Sequence, residues 1–241
     1  VVFHPPPMSN QEACGVVSNQ PRCVVLLLCA ASCNAIAGGI SGKITIQRKL
    51  VRETVAAVYN LRGVAIPDGH AARRETNEFD RVAVWLESKL DPAAPPATAT
   101  MRQRDRQFDP PLVIVPSGST VNFPNLDPIF HNIFSFSRAQ SFDLGYYPQG
   151  HTRSVKFPRP GIVQVYCHIH PSMYAVIIVT SSPWAETPRP DGTFSWTSIP
   201  PGKYTLNVWQ KSAGRLRWPV VVPASGMLHV HISLPEEASD K

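Results

Sequence analysis

Val165-Tyr166-Cys167-His168-Ile169-His170-Pro171-Ser172-Met173 closes one β-patterned run and leads into another, Ala175-Val176-Ile177-Ile178-Val179. The spacing Cys-x-x-His-x-x-Met places a thiolate, an imidazole and a thioether on one short loop between two strands. Upstream, His131 in Phe130-His131-Asn132 offers a second imidazole from a different strand. Two His, one Cys and a weak axial Met suit copper, because soft sulfur donors select it, whereas zinc prefers closed sets of Cys, His and carboxylate. His168 sits beside the Cys, where strand alternation turns it away from such a centre, so it reads as an exposed rim residue.

With those residues in hand, Val113 to Thr180 resembles a cupredoxin of the plastocyanin, pseudoazurin and amicyanin group, and the short ligand loop is most similar to amicyanin. The likeness runs through Pro116-Ser117-Gly118-Ser119-Thr120-Val121-Asn122-Phe123, Asp127 ahead of His131-Asn132, then Phe157 and Pro160-Gly161. The resemblance implies His131, Cys167, His170 and Met173 as ligands of one type 1 copper ion, with Asn132 bracing the Cys loop from outside the ligand set. It also implies single-electron transfer, with a transient protein redox partner docking beside His170, near Pro171, Ser172 and Tyr174. Phe123, Phe130, Phe134 and Tyr166 are the expected apolar shell of the centre.

The cysteines support an exported chain. Arg22 precedes the apolar stretch Val24 to Ala31, which is too short to span a bilayer and is followed by the small-x-small pattern Ala35-Ile36-Ala37. This predicts a secretory signal peptide cut after Ala37, with Met8 a candidate start and lipoprotein processing at Cys33 the alternative. Cleavage removes Cys14, Cys23, Cys29 and Cys33, leaving Cys167 alone. A lone thiol in an oxidising compartment is a liability unless a metal occupies it, so the expected location is periplasmic or extracellular, with no membrane span after cleavage.

Charge narrows the partners. The chain carries 23 Lys and Arg against 17 Asp and Glu, a formal net charge of +6, which permits attraction to an acidic redox partner or an anionic surface. Arg102-Gln103-Arg104-Asp105-Arg106 mixes basic with polar and acidic residues and reads as a solvated strand or loop, so no nucleic-acid partner is expected. After two His ligands, too few histidines remain for a trinuclear copper cluster, and no phosphate loop, nucleophile elbow or paired catalytic acid stands out. The expectation is a carrier with no catalytic residues, and the rival readings are envelope copper delivery and an interaction module with a structural metal.

Pro outnumbers Gly, 25 to 14, and no long helical period occurs, so the predicted class is all-β. Two Pro-rich stretches, Asp91-Pro92-Ala93-Ala94-Pro95-Pro96 and Pro183 to Pro190, bracket the copper segment. Beyond them, Asp191-Gly192-Thr193-Phe194 and Pro200-Pro201-Gly202-Lys203-Tyr204-Thr205-Leu206 resemble the second half of the carboxypeptidase-regulatory or CNA-B-like β-sandwich family. Its first half resembles Gly39-Ile40-Ser41-Gly42-Lys43-Ile44-Thr45-Ile46 and Val82-Ala83-Val84-Trp85-Leu86. The expected architecture is therefore a Greek-key cupredoxin sandwich at 97–182, inserted in or joined to a second small sandwich built from 38–90 and 183–236, after upstream residues 1–37. This pairing of modules is similar to that of methylamine-utilisation accessory proteins. His229 and His231 fall on the outward face of an alternating strand and read as exposed polar positions.

Overall fold

The computed structural model describes residues 38–47, 60–61, 64–65, 77–88 and 93–234. The expected leader, the first four cysteines and His70 lie outside them. Chain order is β1 (Gly38–Ile46), the two-residue β2 (Asn60–Leu61) and β3 (Val64–Ala65), a 3-10 turn (Glu78–Arg81), β4 (Val82–Glu87), β5 (Thr98–Thr100), β6 (Arg102–Arg104) and β7 (Gln107–Asp109). Then come β8 (Leu112–Pro116), β9 (Ser119–Pro124), β10 (His131–Ser137), β11 (Gln140–Tyr147), β12 (Thr152–Phe157), β13 (Gly161–Tyr166) and β14 (Tyr174–Thr180). The chain continues through β15 (Ala185–Glu186), β16 (Thr193–Ile199), β17 (Gly202–Gln210), β18 (Gly214–Val222) and β19 (Met227–Leu234). The fold is all-β, as the sequence predicts. Between Gln47 and Asn77, the described residues belong to the short β2–β3 ladder.

The middle of the chain forms a sandwich of two sheets, ordered β11-β10-β13-β14-β8 and β12-β9-β5. Val121, Phe123, Val155 and Phe157 from the smaller sheet meet Ile133, Val163, Val165, Ala175 and Ile177 from the larger one in a single apolar core. Alternation explains which residues go there: along β9, Ser119, Val121 and Phe123 are buried while Thr120, Asn122 and Pro124 are partly exposed.

The flanking segments pair with each other across this insertion. Val84 in β4 stands opposite Val208 in β17, and β1 lies between β16, antiparallel, and β19, parallel. Ile40, Ile44, Leu86, Phe194, Leu206 and Leu234 fill the resulting second core. Gly42 is required in β1, because a Cβ there would collide with the Phe194 ring.

A third apolar cluster joins the two sandwiches, and it accounts for the unbroken apolar runs. Ala175, Ile177 and Val179 face the first core, while Val176 and Ile178 face outward and pack with Ala83, Trp85, Leu112 and Trp209. In β4, likewise, Val82, Val84 and Leu86 belong to the second core and Ala83 and Trp85 to the junction. A strand buried on both faces reads as a continuous apolar run rather than an alternating one.

Candidate metal centre

Three strand ends converge to build the site. β13 stops at Tyr166, which pairs with Tyr174 at the start of β14, so residues 167–173 form the loop that closes this strand pair. Val163 and Val165 point into the core, and the same alternation carries Cys167 inward to 4 % exposure. A turn with the Met173 N–H donating to the His170 carbonyl at 2.9 Å folds the loop back, so that Met173 is also buried, at 1 % exposure, in the same apolar core as Cys167. His131 opens β10 and is fully buried, opposite Tyr147 of β11.

The donor atoms of His131, Cys167 and His170 all lie within 4.8 Å of one another. The Cys167 Sγ is 3.9 Å from His131 Nδ1 and 3.8 Å from His170 Nδ1, and the two rings are 4.7 Å apart, centroid to centroid. A metal at about 2.3 Å from sulfur and about 2.05 Å from nitrogen separates those donors by about 3.8 Å at a trigonal angle of about 120°, but by about 3.6 Å at a tetrahedral angle. The spacing is what one metal ion shared by two imidazole nitrogens and one sulfur requires, a donor set that suits copper.

The electrostatics agree with a thiolate. Burial raises the Cys167 thiol, but hydrogen bonds from the His131 ring, the Asn132 N–H, the His170 ring and the Ile169 N–H outweigh it and bring it down to about 6. Burial lowers His131, yet the Cys167 sulfur and the Asp127 carboxylate more than compensate, leaving it above its ordinary value. Asp127 is itself pushed up by burial and pulled further down by the backbone N–H groups of Arg106 and Asp105 and by His131. Among the described residues Cys167 is the free thiol, and no second cluster of three or more His, Cys, Asp or Glu donors occurs.

Other residues are placed less simply. Asn132 touches the Cys through its backbone, while its buried side chain goes to the neighbouring strand, Nδ2 donating to Asp143 Oδ1 at 2.6 Å. His168 stays outside the donor cluster and is exposed, as the strand alternation predicts; it stacks on Phe134 with centroids 3.8 Å apart and lies 3.6 Å from Asp143. Of the expected shell, Phe123 is fully buried and Phe134 and Tyr166 partly so, but Phe130 is 56 % exposed, because Asn125 holds the loop before His131 on the surface side through the Ile129 carbonyl. Sequence reading gave Asp127 no role beyond a family likeness; its bond to His131 crosses four residues of loop, which no strand or helix period reveals.

No family model matches this chain, and no curated protein matches it either. Among solved structures it is similar to a copper-containing nitrite reductase from Thermus scotoductus SA-01, at 24 % identity and a TM-score of 0.34, over 39 % of this chain and 25 % of that one. A purple cupredoxin from Nitrosopumilus maritimus matches at 23 % identity and a TM-score of 0.32, over 34 % of this chain and 99 % of that one. An oxidised amicyanin variant matches at 18 % identity and a TM-score of 0.33, over 34 % of this chain and 81 % of that one. The chain thus spans only a quarter of the nitrite reductase. These matches carry no weight for what the chain binds, which rests on its own donor atoms. No helix among the described residues is long and apolar enough to cross a membrane.

Proposed function

We propose that this protein is an exported single-electron carrier holding one type 1 copper ion on His131, Cys167 and His170, with Met173 as the weak axial donor. The observation that carries the reading is the pair of Sγ–Nδ1 separations, 3.9 and 3.8 Å, around a buried thiol held down to about 6. When bound there, the copper ion supplies a one-electron couple. The chain's own residues supply the rest. Cys167 presents a thiolate, and Phe123 and the surrounding core exclude water from it. His170, only half-buried, gives the centre an edge at the surface.

Exposed Leu126, Ile129 and Phe130 precede one ligand and exposed Ile169 precedes another, an apolar rim suited to a brief contact with a protein redox partner. The +6 charge supports an acidic partner. We read residues 97–182 as the cupredoxin module and 38–90 with 183–236 as a carboxypeptidase-regulatory or CNA-B-like sandwich that hosts it. A carrier rather than an enzyme is inferred because electron relay needs only this one centre and a docking edge.

The test is the visible absorption and electron paramagnetic resonance spectrum of the purified protein after cupric ion and then ascorbate. An intense thiolate-to-copper band with narrow hyperfine splitting, bleached reversibly, is the expected result. Tight binding of one metal without colour would overturn the carrier reading in favour of metal delivery.

A further inference from the structure

The two imidazoles at the centre are held differently. His170 sits half-buried on the loop, whereas His131 is fully buried with its Nε2 2.7 Å from Asp127 Oδ2. Asp127 is itself only 6 % exposed, an expensive place for a carboxylate unless its oxygens are fully used. They are. Oδ1 accepts the Asp105 N–H at 2.6 Å, and Oδ2 accepts the Arg106 N–H at 2.9 Å beside the histidine.

Those two donors come from an unusual turn. Asp105 and Arg106 join β6 to β7, and both adopt φ of 55°, the left-handed region that such hairpins normally fill with Asn-Gly. Two successive left-handed non-glycine residues persist only where surrounding contacts over-determine them. Here the turn aims both backbone N–H groups at one carboxylate, a small concave anion site. The far side of the loop is braced as well. The Asp127 N–H donates to Asn125 Oδ1 at 3.0 Å, and Asn125 Nδ2 donates to the Ile129 and Tyr147 carbonyls. The carboxylate is therefore fixed in place before any metal arrives.

Its effect on His131 follows from hydrogen-bond polarity. A carboxylate accepting two backbone N–H groups can only accept from the ring, so once Nδ1 gives up its proton to take a metal, the proton that remains resides on Nε2. That leaves the Nδ1 lone pair directed toward the Cys167 side of the cluster, 3.9 Å from Sγ. The opposite tautomer would set Nε2 and a carboxylate oxygen lone pair against lone pair.

We propose that Asp127 is the positioning residue of the metal site: held by the Asp105–Arg106 turn, it fixes His131 as the Nε2–H tautomer and biases the centre toward cupric ion. The bias comes from charge, because an anion bonded to the outer N–H makes the imidazole a stronger donor. This rests on the copper reading above.

The experiment compares the wild type with Asp127→Asn, in the native background and in Asp105→Asn/Arg106→Gly, which supplies the preferred turn residues and keeps the hairpin formed without the carboxylate. Nitrogen-15 shifts of the His131 ring, recorded in metal-free protein at a pH above its titration so that the ring is neutral, read the tautomer. Cupric and cuprous affinities and the reduction potential read the bias. Wild-type His131 is expected to carry its proton on Nε2, and Asp127→Asn to shift the proton toward Nδ1, since the amide turns a donor toward the ring.

Cupric affinity should fall about 10- to 100-fold in Asp127→Asn, in both backgrounds. Cuprous affinity should fall less, so the potential rises, each tenfold difference being about 59 mV for one electron. An unchanged tautomer and potential, or equal losses for both oxidation states, would overturn the proposal. A colourless wild type would instead fail the copper reading, while the metal-free His131 tautomer would still decide the role of Asp127.

Discussion

The core around Ile44, Phe194, Leu206 and Leu234 is apolar throughout, whereas the core around Phe123, Ile133 and Val165 runs at its strand ends into Gln103, Asn125, Asp127 and His131, all buried. Both sandwiches bury polar side chains, but they use them differently. In the second sandwich, Asn207 bonds the Thr205 carbonyl and Arg215, and Gln210 accepts the N–H groups of Ser212 and Ala213, so each satisfies its own neighbourhood. In the first, Asn125 braces a loop whose carboxylate orients a histidine facing a thiol. Most buried polar groups are paired, here with exceptions at Gln103 Oε1 and Asn132 Oδ1. Only where the pairing ends on a donor atom aimed at another donor does it amount to a site.

The sharpest way to separate the two regions is Cys167→Ser. It should erase the intense visible band altogether while circular dichroism shows the strands retained, because an alcohol cannot supply the thiolate charge transfer. A band that survives would mean the colour arises elsewhere. The reciprocal change is Phe194→Ala, which empties a ring that is 1 % exposed in the second core. It should cost about 3–5 kcal/mol in denaturant unfolding and leave the copper spectrum unaltered. A changed spectrum would show that the two cores are mechanically one.

These two substitutions also mark how far the sequence could be read. Cys167, His170 and Met173 stand within one heptapeptide, and a strand period on either side places them on a loop, so the donor set was visible locally. The strands that face the second core were visible through Ile44, Leu206 and Ile232 for the same reason. Phe130 was misplaced because aromatic character says nothing about which side of a loop a residue takes. Asp127 stayed without a role because its partners come from the β6–β7 turn, Asp105 and Arg106, and from the start of β10, His131, and two of the three bonds depend on backbone N–H directions that residue type does not encode. The side chain of Asn132 likewise turned to Asp143, on a neighbouring strand whose register carries a bulge.

A third measurement uses pH on the metal-free protein. Cys167 is depressed to about 6, so its thiolate contribution to stability is fully present above the unfolded thiol value near 9.0 and is lost as pH falls through about 6. His131 is raised, so its contribution has the opposite sense, fully present below 6.5 and lost as pH rises through its folded value. The slopes oppose each other just above pH 6.5. Stability should be nearly flat there even though the ultraviolet thiolate absorbance titrates near pH 6. A thiol titrating near 9 would reduce Cys167 to an ordinary core residue and erase the contrast with the second sandwich.

The smallest effect lies where the regions meet. Lys211, on the turn after β17, places its Nζ 3.9 Å from the centroid of the Tyr174 ring, and Tyr174 directly follows Met173. Tyr174 also packs, tilted, against Tyr166, the neighbour of Cys167, so this cation is one link from the second sandwich to both ends of the ligand loop. Burial lowers the Lys211 ammonium, and Arg81 adds repulsion, which limits what the contact can contribute. Lys211→Met keeps the aliphatic stem over the ring and removes only the charge, so it should cost about 0.5–1 kcal/mol in unfolding. The potential should not move, because the ligand loop is already closed by its own Met173–His170 turn and by the Tyr166–Tyr174 pair. A measurable shift in potential would make the second sandwich part of the tuning of the centre rather than its support.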